Sequence, residues 1–356
     1  MHDITLVFDV GGTNLRCALY CQRTDNLYNI VQCSTPHFSQ FKGKPTSSIR
    51  AALLAKMKSI SKPLLKGKIP KRIAIAFPGP INADGDVLTA PTIWGRAEKQ
   101  PVSISCKLKQ IWPQSDILLI NDVSAADYNY LNQPNEDLCV VTVSSGIGHK
   151  VFIGGKAIVG RGGHGGEIGH WQVDHSSNAP ICECGHQGHQ GHLGAVASGR
   201  ASQWQAHKLF KENPHSYSKS ILSKKSATVD GLCNEDIVEA FHSQDDWSVQ
   251  LVTRLARPLG HALAGIHLAV GTERFVLIGG FALALGEGYR QLVRESARRA
   301  AWDLGLEWDS MIELGSNVTN AGLLGAGRYA CQIKKHHLRL SNNKSANFEQ
   351  AMHSWR

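Results

Sequence analysis

Three glycine-rich segments, each directly after a short apolar run, constrain the fold of this chain most. They are Gly11-Gly12-Thr13-Asn14 after Ile4–Asp9, Ser144–Gly148 after Leu138–Val143, and Gly279-Gly280 after Phe275–Ile278. Short apolar runs that end in glycine predict buried strands followed by turns. Glycine also lets the backbone approach phosphate oxygens and offer N–H donors to them. Three such loops from separate strands could converge on one phosphate chain.

The order of apolar runs predicts a mixed α/β fold in two related halves. A hairpin joins Ile4–Asp9 to Leu15–Cys21, and a helix with apolar spacing covers Ser48–Lys62 and stops at Pro63. The further predicted strands are Asn29–Ser34, Ile73–Phe77, Ile117–Ile120, Leu138–Val143, Lys150–Ile153, Lys156–Val159 and Phe275–Ile278. Much the same order repeats from Leu138, which favours mixed sheets with helices on their faces.

The other segments predict less regular structure. Residues 160–192 are dense in glycine and histidine and indicate a loop, and the polar stretch Lys208–Ser226 indicates a mobile insertion. Ile237–Ala269 is predicted to be largely helical, and the basic tail after Tyr329 a helix that frays.

Composition excludes several classes of protein. The chain has 356 residues, of which 42% are hydrophobic and 19% charged, as in ordinary soluble domains. No apolar run approaches the roughly 18 residues of a membrane helix, and no signal peptide is visible, so we expect a cytoplasmic protein without a membrane partner. The formal net charge of +9 is scattered, so we expect no nucleic-acid partner. Nine irregularly spaced cysteines argue against a disulfide framework.

A cluster of metal-ligating residue types stands out. Six of the 17 histidines lie between residues 164 and 192, beside Cys182 and Cys184. A structural zinc site needs four nitrogen or sulfur ligands in tetrahedral geometry. The alternative is a surface loop with adventitious metal affinity.

Several motifs resemble a known family in order and spacing. F-D-V-G-G-T-N at 8–14 resembles the phosphate-binding start of the sugar kinase–actin–Hsp70 superfamily. E-I-G-H at 167–170 with C-E-C-G at 182–185 resembles the ROK family of bacterial sugar kinases and repressors. The same order includes F-P-G-P-I, N-D, S-S-G-I-G, I-G-G and A-G-L-L-G-A, beginning at residues 77, 121, 144, 278 and 321.

The resemblance implies two actin-like (ribonuclease H-like) domains with an interdomain cleft. We expect a small domain over 1–122, completed by a helix at about 315–335. A large domain over 123–314 would carry a zinc-binding loop at 164–192, and 336–356 would form a basic polar tail. Because members of the family commonly form dimers, the resemblance also implies a homodimer.

The resemblance also assigns site residues. ATP would lie across three loops: Gly11, Gly12, Thr13 and Asn14; Ser144, Ser145 and Gly146; and Gly279 and Gly280. The substrate would contact Asn121, Asp122, Glu167 and His170. Asp9, at a strand end, could hold Mg²⁺ through water. Asp122 is the predicted catalytic residue, because phosphoryl transfer needs a carboxylate that aims the attacking hydroxyl and accepts its proton.

The chain departs from the family at the zinc loop and the far end of the substrate pocket. The family offers one histidine and three cysteines to zinc, and here these become His170, Cys182, Cys184 and either His189 or His192. The family glutamate two residues after the last ligand would fall on Gly191 or Gly194. Thr92 stands where asparagine is common. A site without that carboxylate no longer requires the matching hydroxyl of the substrate.

These features predict an ATP-dependent kinase acting on a primary hydroxyl. A hexose, in a glucokinase-type reaction, is the first choice, and a C7 cyclitol of the valiolone type is the alternative. The alternative of another class is a sugar-responsive ROK regulator, which we expect to lack a DNA-binding domain because D-V-G-G-T begins at residue 9. Polyphosphate is the alternative to ATP as the phosphoryl donor.

Overall fold

A computed structural model of the chain describes residues 4–82, 84–95, 101–133, 135–163, 165–182, 189–302 and 305–333. Contact density divides the chain into two compact units. The first comprises residues 1–134, 159–164 and 318–356, and the second 135–158 and 165–317. The domain boundary predicted at residue 122 lies inside the first unit, and the predicted basic tail lies outside the described residues.

The first unit is built on a five-stranded mixed sheet with the order β3-β2-β1-β4-β5. Its elements are β1 (Ile4–Val10), β2 (Asn14–Cys21), β3 (Asn26–Ser34), α1 (Thr46–Leu65), β4 (Arg72–Phe77), α2 (Pro91–Trp94), α3 (Ile104–Ile111), β5 (Asp116–Asn121) and α4 (Asp122–Asp127). Strands β1, β2 and β3 pair antiparallel, whereas β1, β4 and β5 are parallel. Residues 321–333 are helical and belong to the same unit.

The core of the first unit follows from its apolar periodicity. Helix α1 buries Ile49, Leu53, Met57, Ile60 and Leu64, which recur every three or four residues and therefore share one face. The five residues after Arg72 in β4 are all buried, as expected for a strand with parallel neighbours on both sides. Pro63 does not end α1, because its ring lies in the last turn and the helix continues to Leu65.

The second unit repeats this topology. Its sheet has the order β10-β9-β6-β7-β8, with β6, β7 and β8 antiparallel and β6, β9 and β10 parallel. The elements are β6 (Leu138–Val143), β7 (Ile147–Ile153), β8 (Lys156–Ala157), α5 (Leu193–Ala197), α6 (Ala201–Glu212), α7 (Pro214–Lys219), α8 (Asn234–His242), α9 (Asp246–Val270), β9 (Phe275–Ile278), α10 (Gly280–Ala300), α11 (Trp308–Met311) and β10 (Ile312–Leu314). The predicted mixed sheets in two related halves are therefore confirmed.

One predicted segment is wrong. Lys208–Ser226 is not a mobile insertion, because it contains the end of α6, all of α7 and a 3₁₀ turn over Ile221–Lys224. Tyr217 is 2% exposed, and its ring centroid lies 5.0 Å from that of Trp247. The burial of these two aromatic side chains outweighs the polar composition of the segment.

One smaller difference concerns a predicted helix. The predicted helix over Ile237–Ala269 is two helices, α8 and α9, separated at Ser243–Asp245, where Asp245 caps α9 through the N–H of Ser248. Among the described residues, no helix is both long enough and apolar enough to cross a membrane.

Candidate active site and metal centre

The predicted catalytic carboxylate lies where β5 ends and α4 begins. Asp122 is the first residue of α4, and its Oδ1 accepts hydrogen bonds from the backbone N–H of Val123 (2.9 Å) and from Asn121 Nδ2 (3.0 Å). Asn121 caps the helix by accepting from Ser124 N–H and also donates to the Gly79 carbonyl (3.0 Å). The Asn121 amide thus fixes both the Asp122 carboxylate and the loop after β4.

The electrostatics of Asp122 suit a general base. The pKa of its carboxyl is raised to about 6, mainly by burial and also by the negative charge of Asp9, while the hydrogen bonds from Val123 and Asn121 act in the opposite direction. At neutral pH the carboxylate is ionised, yet its basicity is close to the working pH, which is favourable for accepting a proton. Asp9 itself has a pKa raised by burial and opposed by the guanidinium of Arg16, 3.2 Å away.

The first predicted phosphate loop is a hairpin turn beside Asp9. Gly11 N–H donates to the Asn14 carbonyl (2.9 Å), and the hydroxyl of Thr35 donates to the Gly11 carbonyl (2.7 Å). Thr92, the residue in place of the family asparagine, lies so close to Gly12 that a β-carbon there would be 3.3 Å from the Thr92 β-carbon. The Thr92 side chain therefore packs on this loop.

The other two predicted ATP loops meet at the ends of adjacent parallel strands in the second unit. Ser144–Gly146 joins β6 to β7, and Gly279 packs against the end of β6, where an added β-carbon would lie 2.5 Å from the Val143 carbonyl oxygen. The Ser145 carbonyl accepts from the hydroxyl of Ser198 (3.0 Å) and from Arg200 Nε (2.7 Å). Arg200 is therefore a cation beside a predicted phosphate loop, and it belongs to none of the motifs that the sequence offers.

Glu167 and His170 lie on one short segment of the second unit. Residues 168–170 form a single 3₁₀ turn, in which His170 N–H donates to the Glu167 carbonyl (2.9 Å). Both side chains are exposed. Asn121, Asp122 and the Gly11–Asn14 loop belong to the first unit.

Three of the predicted zinc ligands come together. The ligand atoms of His170, Cys182 and His192 all lie within 4.8 Å of one another, with Cys182 Sγ 3.5 Å from His170 Nδ1. Cys182 and His192 are buried, and the buried Nδ1 of His192 has no hydrogen-bond partner among the residues that the structure describes. Burial and the two neighbouring histidines lower the pKa of His192, which keeps its ring neutral and able to bind a metal. One sulfur and two imidazole donors with an unpartnered buried nitrogen fit zinc.

The structure distinguishes between His189 and His192, the two alternatives that the sequence leaves for the last zinc ligand. His189 is outside this three-residue group, although its ring centroid is 5.1 Å from that of His192, and its carbonyl accepts from Cys182 N–H (2.8 Å). Cys184 lies outside the described residues. The geometry therefore favours His192 over His189, with Cys184 as the candidate fourth ligand.

The same loop distinguishes the two glycines. Gly191 has φ +67°, and a β-carbon there would clash with the Asp174 carbonyl oxygen, so the backbone requires glycine. Gly194 lies two residues after His192, in α5, where a β-carbon would be 3.2 Å from the Gly169 carbonyl oxygen. Gly194 is therefore the better candidate for the position of the family glutamate.

Comparison with known proteins identifies the chain. The ROK family profile matches residues 5–332. A ROK hexokinase structure from Thermus thermophilus aligns with a TM-score of 0.69 and 26% identity, covering 93% of this chain and 99% of that one. The repeated mixed sheets, together with this structural similarity, place the chain in the class of kinases with the actin-like two-domain fold. More narrowly, the chain belongs to the ROK family.

Two curated relatives differ in substrate. A C(7)-cyclitol 7-kinase of Streptomyces hygroscopicus subsp. jinggangensis (strain 5008) is 32% identical over 332 residues, which is 91% of this chain and 93% of the relative. An N-acetylmannosamine kinase of Escherichia fergusonii is 28% identical over 295 residues, 81% of this chain and 86% of the relative. The predicted family and kinase class are confirmed.

Proposed function

We propose that this protein transfers the γ-phosphoryl group of ATP to the primary hydroxyl of a C7 cyclitol of the valiolone type. The observation that carries the proposal is the 32% identity with a C(7)-cyclitol 7-kinase across 91% of the chain. The sequence motifs favoured a hexose over a C7 cyclitol as the acceptor substrate, and this similarity favours the cyclitol instead.

Gly194 supports the same substrate class. The family glutamate contacts the sugar near its anomeric end, and the best candidate for its position here has no side chain. A cyclitol has a carbocyclic ring and hence no anomeric hydroxyl, so a carboxylate there has no hemiacetal group to bind. Removing an unmatched buried polar group also removes its desolvation cost.

The catalytic step follows from Asp122. The ionised carboxylate would orient the attacking hydroxyl in line with the γ-phosphorus and accept its proton as the O–P bond forms and ADP leaves. Asp9 would hold Mg²⁺ through water, and the ion, when bound, would supply positive charge that neutralises the ATP phosphates. The Gly11–Asn14, Ser144–Gly146 and Gly279–Gly280 loops would donate backbone N–H groups to ATP, with Arg200 as an added cation.

Zinc would hold the loop around His170. We infer that His170, Cys182 and His192, with Cys184, bind one structural zinc ion, which would fix the His170 ring beside Glu167. Both residues would then face hydroxyl groups of the acceptor. A homodimer and a cytoplasmic location stay predictions.

The second candidate is a kinase for a hexose or an amino sugar. The similarity to the N-acetylmannosamine kinase and to the Thermus hexokinase supports it. A regulator would bind a sugar without consuming ATP, so turnover of ATP distinguishes it from both kinases.

A matched panel tests the proposal. The protein is assayed for ADP release with valiolone, glucose and N-acetylmannosamine, and phosphorus NMR identifies the product. We expect kcat/KM for valiolone to exceed that for glucose by about tenfold or more, the cost of one unpaired buried group. Glucose turnover at about 10⁴ M⁻¹s⁻¹ or better, typical of a committed enzyme, would instead support the hexokinase. Polyphosphate replaces ATP in a parallel series.

A further inference from the structure

The chain has two adjacent ionisable side chains on β7, the partly buried His149 and the buried Lys150, that the proposed mechanism does not use. His149 and Lys150 follow the Ser144–Gly148 loop, and Lys150 is only 7% exposed. The pKa of His149 is lowered to about 4, mainly by burial and also by the Lys150 charge, with a hydrogen bond to the Gly166 backbone acting in the opposite direction. The imidazole is therefore neutral at physiological pH.

Both side chains are hydrogen-bonded to one segment, residues 165–168. His149 Nδ1 accepts from the backbone N–H of Ile168 (3.2 Å), and Lys150 Nζ donates to the carbonyl of Gly165 (2.7 Å). Because an accepting Nδ1 carries no proton, the neutral ring is protonated on Nε2. The segment is thus fixed at both ends by neighbouring residues of one strand.

The backbone of the segment also lies against this part of β7. Strand β8 pairs only with Phe152 and Ile153, so it does not cover residues 147–150. Gly166, at φ +98°, lies against the His149 carbonyl and the Lys150 side chain, and a β-carbon there would be 2.7 Å from the His149 oxygen. Gly169 packs in the same way on the Ile147 carbonyl.

The anchored segment carries two predicted functional residues. Glu167 lies between the two anchor points, and His170 follows two residues after Ile168. Glu167 is exposed, so little else packs around it, and its position depends on the backbone that holds it. Fixing that backbone before the substrate binds lowers the entropy cost of forming the complex.

We propose that His149 and Lys150 are positioning residues, which hold the 165–168 segment so that Glu167 and His170 are presented to the acceptor substrate. This proposal rests on the proposed kinase function. It predicts a selective effect: loss of either anchor weakens binding of the acceptor but not of ATP.

The test uses pairs of variants that remove or keep each hydrogen bond. His149→Leu removes the acceptor, whereas His149→Asn keeps an oxygen that can occupy the Nδ1 position. Lys150→Met keeps the apolar stem without the ammonium group, and Lys150→Arg keeps a donor. Lys156→Met, at an exposed lysine of β8, and His207→Leu, at a histidine whose side chain is 39% exposed, are the matched controls. KM for the acceptor and KM for ATP are measured separately, with the acceptor that the wild type turns over best in the panel.

We expect His149→Leu and Lys150→Met each to raise KM for the acceptor by about tenfold, the effect of one buried hydrogen bond, with KM for ATP within about twofold. His149→Asn and Lys150→Arg should recover most of this loss. An unchanged acceptor KM, a parallel rise in both KM values, or no recovery in the conservative variants would overturn the proposal. If His149→Leu does not fold, His149→Gln replaces it, since its longer side chain displaces the amide from the Ile168 N–H.

A second readout separates this proposal from the proposed function. Amide hydrogen exchange of the peptide covering 165–170 reports the anchoring without any substrate. If the wild type phosphorylates none of the three acceptors, the proposed function fails. In that case, unchanged exchange in His149→Leu and Lys150→Met would overturn the anchoring as well, whereas faster exchange confined to that peptide would support it.

Discussion

At the scale of single residues, the proposed chemistry depends on Asp122. Asp122→Asn retains the hydrogen bonds of the α4 N-terminus but removes the base, so we expect kcat to fall by about 10²-fold or more while ATP binding persists. In the wild type, kcat/KM should decline as the pH falls below about 6, the pKa of the buried carboxyl. Initial rates between pH 5 and 8.5, with ATP binding by calorimetry, check both. Turnover within about tenfold of the wild type would refute the assignment.

The same carboxyl should reduce stability at neutral pH. Its folded-state pKa of about 6 lies above the ordinary 3.8. Folding therefore favours the protonated form, and stability is lost as the pH rises through 6. Asn at position 122 has no such charge, so Asp122→Asn should gain about 1 kcal/mol relative to the wild type between pH 5 and pH 7.5. Denaturant unfolding at the two pH values measures the difference, and an equal ΔΔG at both would contradict it.

Residue types and spacing predicted much of the site, but not all of it. Asp122, Cys182 and His192 belong to motifs whose order along the chain is informative. Arg200 and His149 belong to no such motif. The role proposed for Arg200 depends on its contact with Ser145, 55 residues away in sequence, and that proposed for His149 on its contact with Ile168, 19 residues away. Such contacts depend on how the backbone folds back on itself, which no local pattern contains.

At the scale of elements, the metal loop offers a direct test. We expect about one zinc per chain, as for a four-ligand structural site. His192→Asn and Cys182→Ser should lose the metal, while His189→Asn should keep it, because only His192 belongs to the ligand group. Metal loss should weaken acceptor binding more than ATP binding, since His170 is both a ligand and a neighbour of Glu167. Metal analysis decides this, with the exposed Cys106→Ser as the control. Zinc lost from His189→Asn and retained in His192→Asn would reverse the assignment.

Helix α5 carries the substrate-specificity prediction. Gly194→Glu restores the family carboxylate and should raise kcat/KM for glucose, and lower it for valiolone, by about 5- to 150-fold, the effect of one buried hydrogen-bonded group. Gly194→Ala is the matched control, because it introduces the same β-carbon 3.2 Å from the Gly169 oxygen without a charge. Equal changes of kcat/KM in Gly194→Ala and Gly194→Glu would show that the contact with the Gly169 oxygen, and not the carboxylate, determines the substrate preference.

Gly191→Glu, by contrast, should fail to form the loop. Its φ of +67° and the Asp174 carbonyl leave no room for a side chain. We therefore expect this variant to lose zinc and acceptor binding rather than to gain activity on glucose. Improved glucose turnover in Gly191→Glu would instead indicate that Gly191 holds the position of the family glutamate, with His189 as the last zinc ligand.

Element prediction succeeded where periodicity was strong and failed where tertiary burial decided. Helix α1 and strand β4 have apolar spacing that only one structure satisfies. The segment Lys208–Ser226 has little apolar periodicity, and it is ordered by burial of Tyr217 against the distant Trp247, together with burial of Leu209 and Leu222. A polar segment that contains one large aromatic residue can therefore be part of a core.

At the scale of the whole molecule, the repeated sheet topology places a separate hydrophobic core in each unit. Trp247, 1% exposed, belongs to the core of the second unit, and Phe8, fully buried, to that of the first. Truncating either to alanine should cost about 3–5 kcal/mol of local stability. Since the two clusters share no residues, we expect Trp247→Ala to speed amide exchange in β6, β9 and α9 while β1, β4 and β5 keep their protection. Phe8→Ala should produce the reverse pattern. Exchange by mass spectrometry, with peptides assigned to each unit, compares the two variants with the wild type, and equal acceleration throughout the chain would mean that both cores unfold as a single cooperative unit.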